Sequence, residues 1–79
     1  MPIQLQSDNK ATKLRVARVT TGLTIKEFAK RHGLNTDRLY RVERGQMYAP
    51  LTWRPILAQA LGIAQDDLFD SRGFPKIVE

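Results

Sequence analysis

The stretch TIKEFAKRHGLNTDRLYRVERG, residues 24–45, decides the fold of this chain. Thr24 and Glu27 form a capping-box pattern: the threonine hydroxyl accepts a hydrogen bond from a free N–H of the first turn, and the glutamate reaches back. Gly33 suits the left-handed position that ends many helices, and Asn35 is a strong N-cap for the next one. The stretch therefore predicts two short helices joined by a tight turn.

The second of these helices has two distinct sides. Leu39 and Val42 lie three residues apart and share the side predicted to face the core. Phe28 and Ala29 provide the buried face of the first helix, and Gly45 ends the second. The outward residues are polar or basic: Thr36, Asp37, Tyr40, Arg41 and Arg44. Two capped helices around a glycine turn make a helix-turn-helix, whose second helix fits the width of the B-DNA major groove.

A further helix is predicted before this stretch, from about Lys10 to Thr21. Gly22 suits the glycine position that follows a helix end. The inward residues of this helix are predicted to be Leu14, Ala17 and Thr21.

Two more helices are predicted after the stretch. The first begins near Thr52 or at Pro55 and stops at Gly62; the later start is plausible because proline disfavours helical geometry at the preceding residue. Its buried stripe is predicted to be Ile56, Leu57, Ala60 and Leu61. The last helix spans about residues 65–70 and places Leu68 and Phe69 over the core.

These elements predict one all-α domain over residues 10–70. Residues 1–9 show no helical period and are expected to form a flexible arm. The tail, residues 71–79, contains Gly73 and Pro75, and three alternatives stay open for it: disorder, a short strand, or contact with a partner.

Charge and composition limit the function classes. The 79-residue chain has no cysteine and a net charge of +5, and residues 10–54 carry eleven lysines and arginines against three acidic residues. This balance indicates either a surface that faces a polyanion or an ordinary solvated surface. Because no apolar run resembles a signal peptide or approaches the ~20 residues of a membrane span, the chain is expected in the cytoplasm, without membrane contact.

Signs of enzymatic chemistry are lacking in the sequence. The chain has one histidine, no glycine-rich phosphate loop and no paired carboxylates or metal-ligand cluster that stands out. We therefore expect no catalytic residues, no metal and no cofactor.

Residues 14–69 resemble the lambda-repressor-like, Cro/Xre-type helix-turn-helix family. The similar residues are Leu14, Arg18, Gly22-Leu23-Thr24, Glu27-Phe28-Ala29, Gly33-Leu34-Asn35, Leu39, Arg41-Val42-Glu43, Gly45, Ala58-Gln59-Ala60-Leu61-Gly62-Ile63 and Asp67-Leu68-Phe69. The resemblance implies a compact five-helix domain that binds double-stranded DNA as a homodimer. It further implies a transcriptional regulator, a repressor of bacterial or phage (prophage) origin that works in the bacterial cytoplasm.

The resemblance also implies roles for individual residues. The candidates for contact with base edges are Thr36, Asp37 and Arg41. The candidates for the DNA backbone or its vicinity are Thr24, Lys26, Arg38, Tyr40, Arg44, Gln46 and Tyr48. Arg18 and Glu43 are expected to form a structural ion pair. Asp37 has a second interpretation, as an acidic residue of the first helical turn that the helix dipole favours. Each basic side chain also has a second interpretation, as a solvated surface charge.

The sequence departs from the family pattern at several positions. Ile25 follows the capping threonine, where a glutamine is common, and His32 stands where an aliphatic residue is common and is expected to be half-buried. The loop residues Met47, Tyr48, Leu51 and Trp53 form an apolar group that belongs either to the core or to a dimer contact.

A second function class stays open. The same fold serves as a protein-interaction module, such as the antitoxin of a toxin–antitoxin pair, with the tail as the partner contact. The basic balance of residues 26–44 argues against a purely protein-binding role.

Overall fold

The computed structural model describes residues 11–78, which form five helices. They are α1 Lys13–Thr20, α2 Ile25–His32, α3 Thr36–Glu43, α4 Trp53–Leu61 and α5 Gln65–Leu68. The predicted all-α, five-helix architecture is confirmed, whereas the predicted arm, residues 1–9, lies outside the described residues. No helix in the described part is long and apolar enough to cross a bilayer.

One core joins all five helices. Its buried residues are Leu14, Phe28, Ala29, Leu34, Leu39, Val42, Ala49, Leu57, Leu68 and Phe69. Two predicted inward residues were wrong. Thr21 is exposed because α1 ends at Thr20, and its hydroxyl instead donates to the Arg18 carbonyl. Ile56 is exposed because Leu57, one residue and about 100° further round the helix, occupies the buried centre of α4.

The first helix begins at Lys13, later than the predicted start near Lys10, because Thr12 caps it. The Thr12 hydroxyl oxygen accepts from the Arg15 N–H at 3.1 Å. The same hydroxyl is buried and donates to the Glu43 carbonyl at 2.6 Å. Thr12 therefore joins the start of α1 to the end of α3.

Of the two predicted starts of α4, the one near Thr52 is confirmed and the one at Pro55 is wrong, and the predicted end of α5 needs correction. Helix α4 begins at Trp53, and Pro55 is accommodated as its third residue because the first N–H groups of a helix lack intrahelical partners. Helix α5 ends at Leu68, before the predicted Asp70. Phe69 is already extended, at φ −126° and ψ 149°, and forms an isolated antiparallel bridge with Pro75.

After a turn that includes residues 71–73, residues 74–78 return along the chain's own surface in an extended path. The Lys76 N–H donates to the Leu68 carbonyl at 2.8 Å, and the Lys13 N–H donates to the Lys76 carbonyl at 2.8 Å. The Val78 N–H donates to the Ala11 carbonyl at 2.9 Å, next to an isolated bridge between Thr12 and Ile77. The end of the described chain is thus tied to the beginning of α1.

Candidate nucleic-acid interface

The start of α2 is fixed by the capping box that the sequence predicts. The Thr24 hydroxyl oxygen accepts from the Glu27 N–H at 3.1 Å, and the Thr24 N–H donates to the Glu27 carboxylate at 2.9 Å. The backbone hydrogen bond from Thr24 is the main reason that the pKa of Glu27 lies below its usual value. Thr24 and Lys26 are both exposed at this helix start.

The turn between α2 and α3 is equally well defined. Gly33 adopts the left-handed conformation at φ +69°, and the Leu34 N–H donates back to the Ala29 carbonyl at 2.8 Å, as in a Schellman motif. The Asn35 side chain then accepts from the Arg38 N–H at 2.9 Å. Because Leu34 is buried, the turn holds α3 at a fixed angle to α2.

Helix α3 has a fully buried side and an exposed side. Leu39, Val42 and Glu43 are at most 2% exposed. The exposed side chains of this helix are Asp37, Arg38, Tyr40 and Arg41, with Arg44 directly after its end. Thr36 is half-buried. The exposed side is therefore polar and mainly basic, and it is free to meet a ligand along the whole helix.

The loop between α3 and α4, residues 44–52, turns back beside that exposed side. The Gln46 N–H donates to the Arg41 carbonyl at 2.9 Å, across Gly45 at φ +75°. Met47 lines a surface depression that it shares with Asn35, Asp37, Arg38 and Arg41. Met47 is predicted only as part of the apolar loop group and not as a site residue, although its position four residues after the end of α3 is a signal that could have indicated it.

The other candidate contacts at the end of α3 are exposed. The Arg44 guanidinium lies 4.6 Å from the centre of the Tyr40 ring, in a cation–π arrangement. Gln46 is exposed and Tyr48 is 51% exposed. The structure thus places these four side chains next to one another along the chain, where a polyanion can approach them.

Arg18 and Glu43 meet behind α3. The Arg18 guanidinium donates to both carboxylate oxygens of Glu43, at 2.8 and 2.9 Å, and also to the Leu23 carbonyl at 3.1 Å. The hydrogen bonds to Glu43 raise the pKa of Arg18 above its ordinary value. The side chains are only 13% and 3% exposed, so this bidentate pair joins α1 to the end of α3 from the inside.

The departures from the family pattern have structural explanations. Ile25 packs against the core beside α2, and the half-buried His32 ring lies 4.6 Å from the Phe28 ring centre. The apolar loop group divides: Met47 and Trp53 pack against the core, whereas Leu51 is 74% exposed. Among residues 11–78, no three histidine, aspartate or glutamate side chains cluster as metal ligands would.

Comparison with known protein families identifies a helix-turn-helix domain. A family model described as "Helix-turn-helix domain" matches residues 11–70, which is most of the chain. No curated protein and no solved structure matches the chain. The matched residues contain all five helices and end just before the extended C-terminal segment.

Proposed function

The chain belongs to the helix-turn-helix domain family, and we propose that it binds double-stranded DNA sequence-specifically through α3. The observation that carries this proposal is the division of α3 into a buried apolar side and an exposed side with Arg38 and Arg41. A helix of this width fits the major groove, and its exposed side chains then lie against base edges. Membership of the family supports a role in transcription regulation.

Arg41 is the residue that we propose reads a base. Arginine binds guanine O6 and N7 with two hydrogen bonds, and Arg41 is exposed beside the Met47 depression. Asp37 and Thr36 complete the proposed base-contacting set, Asp37 as an acceptor for a cytosine amino group and Thr36 as a contact for a thymine methyl. Since Asp37 also lies in the first turn of α3, the helix dipole favours its charge as well.

The phosphate contacts are proposed for the exposed groups on either side of the groove. At the start of α2 these are Thr24 and Lys26, and around α3 they are Arg38, Tyr40, Arg44, Gln46 and Tyr48. The Thr24 oxygen already accepts the Glu27 N–H, so its hydroxyl hydrogen is the part that remains to donate to a phosphate. Such contacts set register and affinity and carry no sequence information directly.

We further propose that the protein acts as a homodimeric repressor of bacterial or phage origin in the cytoplasm. Helix α3 has eight residues, about 12 Å at 1.5 Å per residue, which reaches few base pairs. A dimer doubles the site and sets the half-sites ~34–36 Å apart.

Leu51, at 74% exposure, is an apolar contact available for a second copy. Sedimentation equilibrium tests this part: we expect a dimer, weakened by Leu51→Asp, and a monomer at all concentrations would refute it.

Selection from random-sequence duplexes, followed by fluorescence titration, tests DNA reading. We expect one preferred, near-palindromic site, and Arg41→Ala should relax preference at one position per half-site at a cost of ~1–3 kcal/mol. Arg15→Ala is the matched control, because Arg15 is also an exposed arginine but lies on α1. If no sequence is selected, or both variants lower affinity equally for all sequences, the proposal of sequence-specific reading by α3 is wrong.

A further inference from the structure

The segment that follows the family-matched residues contains a well-defined turn, residues 70–74, here called the tail turn. One carboxylate oxygen of Asp70 accepts from the Arg72 N–H at 2.9 Å and from the Phe74 N–H at 3.0 Å. These backbone hydrogen bonds, that of Phe74 most, lower the pKa of Asp70. The Asp70 carboxylate is therefore occupied in shaping the turn.

The tail turn is attached to the loop between α3 and α4. The Ala49 N–H donates to the Gly73 carbonyl at 2.9 Å. Arg54 donates to the Ala49 carbonyl at 2.9 Å and to the Arg72 carbonyl at 3.2 Å. Gly73 lies so close to Arg54 that a Cβ added to it would fall 2.1 Å from a guanidinium nitrogen. The two segments therefore form one packed unit.

Side chains continue this attachment at the surface. The Phe74 ring meets the Tyr48 ring edge-on, with centres 6.3 Å apart. The Arg72 guanidinium lies 4.9 Å from the centre of the Phe74 ring. Arg72 is 76% exposed, and its 3.9 Å contact with the exposed Asp70 carboxylate is long, so the guanidinium can take a second anion readily.

A series of neighbouring residues links α3 to Arg72, partly through contacts and partly along the chain. Arg41 and Met47 line the same depression, Tyr48 follows Met47 in the chain, and Phe74 lies between Tyr48 and Arg72. The tail turn is thus packed on the loop that follows α3, and it adds an exposed cation there.

We propose that Arg72 is an additional phosphate-binding residue and that the DNA interface extends beyond the helix-turn-helix domain onto the tail turn. The ligand is the phosphate backbone that flanks the bases read by α3. The proposal rests on the proposed DNA binding of α3. The Phe74 ring holds the guanidinium over a fixed position, which lowers the conformational entropy lost when a phosphate binds.

The salt dependence of DNA binding tests the proposal. Each phosphate neutralised by a cation adds ~0.9 to the slope of log K against log salt concentration for B-DNA. Arg72→Gln should therefore reduce the slope by about 0.9 on a site selected with the wild-type protein. Its 76% exposed side chain can be replaced without disturbing the backbone hydrogen bonds of the turn.

Lys76→Gln is the matched control. It removes the same charge from the same segment, but Lys76 lies beside the start of α1, where its carbonyl accepts from the Lys13 N–H, and it lines a groove with Lys13, Asp70 and Val78. We expect the slope of this variant to equal that of the wild type. Equal slopes for Arg72→Gln and the wild type, or equal reductions in both variants, would overturn the proposal.

Arg41→Ala, measured in parallel, distinguishes a failure of the Arg72 proposal from a failure of DNA reading by α3. If Arg41→Ala relaxes base preference while Arg72→Gln leaves the slope unchanged, the extension onto the tail turn is wrong and DNA reading by α3 stands. If the wild-type protein selects no site, both proposals are overturned.

Discussion

The two halves of this domain fix their helix ends in different ways. In the α2–α3 unit, the side chains of Thr24 and Asn35 cap the helix starts, and each accepts an N–H from three residues further on. In the C-terminal half, neither α4 nor α5 has a side-chain cap. That half is instead held by contacts between residues far apart in sequence, such as those of Arg54 with Ala49 and with residue 72.

The difference shows how the function and the stability of the domain are distributed. The helix ends of the α2–α3 unit are fixed by neighbouring residues. The exposed side of α3 is therefore not needed to stabilise the fold, and Arg38 and Arg41 on that side can bind a ligand. The C-terminal half uses its polar groups to hold the fold. Two contacts between residues far apart in sequence nevertheless attach the end of α3 to α1: the hydrogen bond from Thr12 to the Glu43 carbonyl, and the pair of Arg18 with Glu43.

The largest effect is expected from breaking that pair. Glu43→Gln removes the charge that compensates Arg18, in a pair only 13% and 3% exposed, and should lower the free energy of unfolding by ~3–5 kcal/mol. DNA affinity should fall with it, because the attachment of α3 to α1 is weakened. Urea unfolding measures the loss of stability, and titration with DNA measures the loss of affinity. The control is Asp66→Asn at an exposed site, whose free energy of unfolding should stay within ~0.5 kcal/mol of the wild type. If Glu43→Gln changes neither quantity, the structural role of the pair is refuted.

The next effect tests the distant contacts of the C-terminal half. Gly73→Ala adds left-handed strain of ~1–2 kcal/mol and displaces Arg54, whose hydrogen bonds contribute ~1 kcal/mol each, so we expect a loss of ~2–4 kcal/mol. Gly62→Ala is the control, because Gly62 has a similar left-handed conformation at φ +67° and nothing lies within 4 Å of the added Cβ. This variant should lose only the ~1–2 kcal/mol of backbone strain. Thermal unfolding of both variants gives the comparison, and equal losses would mean that the Arg54 contacts contribute no stability.

The sequence predicts the locally specified half well and the other half less well. The capping box at Thr24, the turn at Gly33 and the cap at Asn35 are signals between residues at most three apart, and all three are present in the structure. The start of α1 was placed too early because the buried position of Thr12 depends on the Glu43 carbonyl, 31 residues away. No pattern of neighbouring residues contains that contact.

Prediction of the candidate site from the sequence is limited in the same way, because contacts between distant residues leave no local pattern. Residue types and spacing predict which side of α3 is exposed, because Leu39 and Val42 mark the buried side. They do not predict that Phe74 packs on Tyr48, since the two rings are brought together by the backbone bond from Ala49 to Gly73. The sequence therefore does not indicate that Arg72 lies near the candidate site.

A smaller effect tests the local signals themselves. Thr24→Ala removes the acceptor for the Glu27 N–H and should lower the free energy of unfolding by ~1 kcal/mol. Thr20→Ala is the control, because the Thr20 hydroxyl donates only to the Val16 carbonyl within α1 and caps nothing; it should stay within ~0.5 kcal/mol. Chemical denaturation measures both. A Thr24→Ala variant as stable as Thr20→Ala would show that the cap is dispensable once the helix is packed.

The smallest effect concerns the charge of Glu27 and its dependence on pH. The hydrogen bond from the Thr24 N–H holds the pKa of Glu27 in the folded protein below its usual value. A lowered folded pKa contributes stability above the unfolded pKa, and that contribution is lost as the pH falls through the folded pKa. Wild type should therefore be slightly more stable than Glu27→Gln at pH 7, and the difference should shrink in acid. Thermal unfolding of both proteins from pH 7 to pH 3 measures this; a difference that grows in acid would mean that the carboxylate form does not stabilise the cap.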